Sequence, residues 1–181
     1  MHIFHKRQGQ MDLYDPYFFT QTIHGFVNLL TQDSIKMLII NSLQFLVQQK
    51  YIEIYGYVIM PNHIHLLLRV LKSETKESPM ASFAKFSAHQ FKKYLQINDS
   101  DLLDRFKSDK NDRSHQFWKR DPLAIPITSE EILFQKLEYI HNNPLGKKWN
   151  NCMHPEDYRW SSARFYLTGI DEFGIVKHYK E

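Results

Sequence analysis

Cysteine is almost absent from these 181 residues: Cys152 stands alone, so no disulfide can form within the chain and no thiolate zinc site can be assembled. Strong net charge is missing too. A formal charge of +3 is too small to establish a nucleic-acid partner, and that claim has to rest on local clusters of Lys and Arg. Long apolar runs are lacking. The opening MHIFHKRQGQMDLYD holds no apolar signal core, and no stretch approaches the ~20 apolar residues that cross a bilayer. A soluble, cytoplasmic protein with no membrane partner is therefore expected. Internal repeats and low-complexity segments are also wanting.

Apolar residues at 43% and charged residues at 24% suit an ordinary globular protein, and the length suits a single domain over residues 1–181, with 1–15 and 169–181 as peripheral tails. The aromatic share, 14%, can fill a core or stack on bases.

The stretch Pro61-Asn62-His63-Ile64-His65-Leu66-Leu67-Leu68 organises the rest. A Pro-Asn turn signal leads into a branched apolar run, which predicts a buried strand. Alternation puts His63 and His65 on one face and Ile64, Leu66, Leu68 and Val70 on the other, where helices can cover them. Two imidazoles about 6–7 Å apart along a strand can reach one metal ion.

Around this strand, Tyr17–Val27 reads as a first strand, and Asp33–Gln49 as a helix capped by Asp33 or Ser34. Tyr51–Met60 reads as a strand paired with the His strand in a hairpin, with Gly56 marking a bulge or a close approach by ligand. After a charged linker, Ser78-Pro79 opens a helix running to about Gln96. Lys85, His89, Lys92, Lys93 and Gln96 share one side of it, a solvated face or a phosphate-tracking one. Residues 98–116 read as a long polar loop. Phe117–Ile127, interrupted by Pro122 and Pro126, reads as an edge strand or broken segments. There Trp118 beside Lys119 and Arg120 forms a base-stacking surface with cations, or else a core ring.

Thr128-Ser129-Glu130-Glu131 predicts a capping box with Thr128 at the cap, opening a helix that Pro144 must stop. Ile132, Leu133, Leu137 and Ile140 form its apolar stripe. Tyr139 lies at the polar edge, with Gln135 one turn before it and Asn143 one turn after. Trp160–Arg164 reads as a short helix or strand edge that closes the fold.

If the two histidines bind a divalent cation, the ion can polarise a phosphodiester. Attack by water makes a hydrolase; attack by the Tyr139 hydroxyl makes a covalent phosphotransferase.

Taken together, Met60–Leu67, Phe117–Pro122, Tyr139–Pro144 and Asp157–Ala163 resemble the HUH single-tyrosine transposases, and among them the REP-associated tyrosine transposases. The motifs run in the family's order, from about the first strand to Tyr166. The resemblance implies an α+β fold, a four- to five-stranded antiparallel sheet with helices on one face, ferredoxin-like in topology. It implies a Mg²⁺ or Mn²⁺ ion held by His63 and His65, with Asn143 as a third ligand. Tyr139 would attack single-stranded or hairpin DNA, giving a 5′-phosphotyrosine link and a free 3′-hydroxyl. Lys85, Lys92, Lys93, Trp118, Lys119, Arg120, Lys147 and Lys148 are the expected DNA contacts. Where relatives carry an Arg-Ala-Gly type of segment, this chain has Leu145–Trp149, which keeps the positive charge. A non-catalytic hairpin-binding module derived from such an enzyme is the rival expectation, and monomer and homodimer both stay open.

Overall fold

The computed structural model describes residues 9–73, 77–109, 114–149 and 152–181. Four strands, β1 (Pro16–Thr22), β2 (Ile52–Met60), β3 (His63–Val70) and β4 (Leu123–Pro126), form one antiparallel sheet in the order β2-β3-β1-β4. Five helices accompany it among the described residues: α1 (Asp33–Gln48), α2 (Pro79–Asn98), α3 (Ser100–Asp104), α4 (Glu130–Asn142) and α5 (Ala163–Thr168). The class is α+β, as expected.

The sheet buries both faces. Ile64, Leu66, Leu68 and Val70 of β3 enter the larger core with Phe19 of β1, Ile39 and Leu43 of α1, and Phe83 and Phe91 of α2. On the other side, Phe18, Val58, Met60 and Leu67 pack with Leu137 and Ile140 of α4. This corrects the expectation of helices on one face: α4 covers the histidine side, because its Leu137/Ile140 stripe needs an apolar partner and the alternate residues of β1–β3 supply it.

A bulge in β2 makes that second core possible. The register with β3 shifts between Ile54 and Gly56, so Ile52 and Ile54 face the larger core before the bulge and Tyr57 and Ile59 after it. Val58 and Met60 are thereby turned to the histidine side, opposite His65 and His63. Gly56 is needed for a second reason. A Cβ there would sit 2.6 Å from Leu137 Cδ1, so the close approach is by α4 and not by a ligand.

Local signals hold at most boundaries and slip at some. Ser78 caps α2, its hydroxyl accepting from Ala81 N at 3.2 Å. The cap of α4 is Ser129, which accepts from Ile132 N, and not Thr128: the box is displaced by one residue. Asp33 lies inside α1 and caps nothing; its carboxylate instead accepts from Lys36 Nζ and Trp160 Nε1. β1 ends at Thr22, where Ile23 and His24 bond out to Asn62 and Phe117 and the chain turns through His24–Phe26.

The long polar loop is partly ordered structure. α3 is capped by Asp99, and Phe106 is buried against Phe117; residues 110–113 lie outside the described ones. Neither terminus is wholly peripheral. From Gly9 on, the lead-in is tied down by Tyr14 N donating to Val70 O and by Met11 on the core, while residues 1–8 lie outside the described ones. Residues 169–181 are no tail: Phe173 and Ile175 are buried, Phe173 stacks on Trp160, and Val176 bridges in parallel to Ile54. That segment, with Ser161 bridging Val58, closes the outer edge of β2. No helix among the described residues is long and apolar enough to cross a membrane.

Candidate active site

The Pro61-Asn62 turn is anchored from both sides, its carbonyls accepting from Leu30 N and Ile23 N at 2.8 Å. Asn62 is buried, and its side-chain amide donates to Phe26 O at 3.1 Å. That bond leaves Oδ1 as an acceptor, and His63 Nδ1 lies 2.8 Å from it. His63 must therefore carry its proton on Nδ1, which frees the Nε2 lone pair. One strand residue further, His65 Nδ1 is 2.8 Å from Thr20 Oγ1 on β1, its direct cross-strand partner. Both rings are thus held by Nδ1, the way metal-ligating histidines are oriented. Their centroids are 4.7 Å apart.

His65 Nε2 is buried and has no hydrogen-bond partner. Such an orphan is costly unless something absent from the chain itself satisfies it. Burial, helped by the Lys148 ammonium, lowers the His63 pKa to about 4, although hydrogen bonding with the Asn143 side chain acts to raise it. Burial, then His63 and Lys136, lowers His65 to about 3. Both imidazoles are neutral at pH 7, the form that binds a metal.

Across from them stands Tyr139 on α4. Its ring meets His65 edge-on at 5.3 Å and Phe18 edge-on at 5.8 Å, yet half its surface is exposed. Leu137 and Ile140 bury the helix face beside it and fix the direction of that ring. The helix ends at Asn142; Asn143 and Pro144 turn through a 3-10 segment with Pro144 buried, which brings Asn143 to His63. No group of three or more His, Cys, Asp or Glu that could hold a metal ion is clustered among the described residues; the donors at hand are the two imidazoles and the Asn143 side chain. A divalent ion on so few protein donors would keep positions open for phosphate oxygens and water. His63, His65, Asn143, Tyr139 and Lys148 are thus brought together.

The remaining expected DNA contacts are dispersed. Lys147 and Lys148 line a cleft beside Tyr139. Lys85, Lys92 and Lys93 stand on α2, across the sheet from the histidines; Lys85 pairs with Glu77 at 3.9 Å, and Lys92 donates to Ser114. Lys119 and Arg120 share a groove with Lys85 on that side. Trp118 corrects the stacking expectation: it is 7% exposed, packed against Phe83 and Phe91, and its Nε1 donates to Ser87. Thr20, Asn62 and Phe18 were not among the sequence's candidates. Asn62 was legible only as a turn residue, and Thr20 has no local signal because its role comes from strand pairing.

The fold is shared with a solved tyrosine transposase. A solved REP-associated tyrosine transposase, bound to a REP hairpin, superposes with a TM-score of 0.62 over 96% of this chain and 90% of that one, at 16% identity. A candidate transposase from Deinococcus radiodurans matches 76% of this chain and 97% of its own at a TM-score of 0.45 and 17% identity, too loose to identify a fold. No protein-family model and no curated protein matches the sequence.

Proposed function

We propose that this chain is a metal-dependent DNA strand transferase that nicks and rejoins single-stranded or hairpin DNA through Tyr139. The observation that carries this is the buried, partnerless Nε2 of His65, on a ring 4.7 Å from that of His63 and 5.3 Å from that of Tyr139. His63 and His65, with the Asn143 amide, would hold a divalent ion; of Mn²⁺ and Mg²⁺, the imidazole nitrogens favour Mn²⁺. When bound, that ion polarises the scissile phosphate and offsets the charge that develops on attack. Tyr139 Oη attacks phosphorus, its proton passing to solvent. The bond from phosphorus to the 3′-oxygen breaks, that oxygen leaves as a hydroxyl once protonated, and the 5′-phosphate stays on the tyrosine. Reversal by a 3′-hydroxyl rejoins a strand. Phe18 and the α4 stripe position the phenol, and Thr20 and Asn62 orient the imidazoles. The likeness to an enzyme solved with a DNA hairpin supports hairpin DNA as the substrate.

The test is covalent. Incubated with Mn²⁺ and a labelled DNA hairpin carrying a single-stranded flank, the protein should give a denaturant-resistant adduct that Tyr139→Phe does not form. Hairpin binding with no adduct on any repeated palindrome near the gene would leave a binding module instead.

A further inference from the structure

Tyr139 and Asn143 line one part of a cleft of about 540 Å³ whose other walls the chemistry above does not use. Its one wall is the exposed face of α4, where Gln135, Glu138 and Asn142 recur at helical spacing in line with Tyr139. The other is the turn after α4, which ends in half-buried Trp149. The indole is 6.0 Å from the His63 ring, and Lys148 Nζ lies over its face, 4.6 Å from the centroid. From this arrangement we propose that the cleft is a nucleobase pocket, holding the base next to the attacked phosphate and selecting one that carries an exocyclic amine, cytosine over thymine. The proposal rests on Tyr139 being the nucleophile.

Three features lead to it. A flat, half-buried indole offers a stacking surface, which any base can use. The opposing wall carries amides and a carboxylate, and Glu138 repels phosphate while accepting a hydrogen bond from a base amine, so this wall reads bases and not backbone. Tyr139 lines the same cleft, so a base lodged there belongs to a nucleotide adjoining the phosphorus that Tyr139 attacks. A base stacking on the indole face displaces the Lys148 ammonium, which then reaches a neighbouring phosphate at the rim.

Oligo(dC) and oligo(dT) of about twelve nucleotides, within the length a single-strand groove covers, are the probes. They are titrated into the full chain without divalent ion at neutral pH, following tryptophan fluorescence. Of the three tryptophans, Trp118 and Trp160 are buried at 7% and 4% exposure, so quenching reports Trp149 and should vanish in Trp149→Phe. Oligo(dC) should bind roughly fivefold or more tightly than oligo(dT). Glu138→Gln, on an exposed site that leaves folding intact, should bring the two within roughly twofold, since an amide can serve either base. Equal affinities in the wild type, or a preference that Glu138→Gln leaves alone, overturn the pocket. Covalent adducts without any base preference would sink the pocket alone. A preference without adducts would sink the strand-transfer reading and leave the base-binding cleft.

Discussion

At the scale of single residues, the site depends on which nitrogen of each imidazole carries the proton. The Asn62 amide is committed to Phe26 O, so its oxygen accepts from His63 Nδ1; at His65 the Thr20 hydroxyl holds the same ring position. Thr20→Val keeps the size and strand preference of the side chain but releases His65. Calorimetric titration should show Mn²⁺ affinity lowered roughly 10–100-fold with little change in melting temperature. Unchanged affinity would mean that the ring is oriented by packing against Phe18 alone. Trp118 makes the opposite case. Its ring lies among Phe83, Phe91 and Phe117, so Trp118→Ala should cost about 3–5 kcal/mol of folding stability, read by denaturant unfolding, instead of a selective loss of DNA affinity.

At the scale of elements, α4 matters most, because it carries the phenol and is positioned by a missing side chain. Leu137 settles onto the sheet where Gly56, just past the bulge, carries no Cβ. Gly56→Ala should overpack that contact, cost about 1–3 kcal/mol, and displace α4. Adduct yield with saturating Mn²⁺ should then fall in protein that circular dichroism shows to be folded. Full activity at reduced stability would indicate that Leu137 changes rotamer while the helix stays in place.

Across the whole molecule, buried neutral histidines couple stability to pH. Burial lowers His141 to about 4, as it lowers His63 to about 4 and His65 to about 3, all from an ordinary 6.5. In the unfolded chain each takes up a proton below pH 6.5, while the folded chain does so only near pH 3–4. The unfolded state thus binds more protons between those limits. The contribution is whole above pH 6.5 and is lost as pH falls toward 4, so the urea midpoint should drop steadily through that window. His141→Gln, which keeps a polar partner for Ser162 Oγ at 2.9 Å in the wild type, should make the drop shallower. The C-terminal segment is a further whole-chain feature. Ending the chain at Gly169 removes buried Phe173 and Ile175, about 1.5–3 kcal/mol each, and uncovers the edge of β2. Such a truncation should aggregate or melt far below the intact protein in a thermal scan.

The sequence alone determined the elements with strong local causes. Alternation in β3 separated His63 and His65 from Ile64, Leu66 and Leu68, the Ser78-Pro79 pair started α2, and Pro144 ended α4 after Tyr139. These are properties of neighbouring residues and need no distant partner. Only the tertiary structure decided that α4 lies over the histidine face, that Trp118 is core, and that residues after Gly169 close the β2 edge. Each of those depends on which surfaces meet. Apolar pattern says that a face must be covered and leaves open what covers it, so Thr20 could be linked to His65 only when β1 and β3 paired.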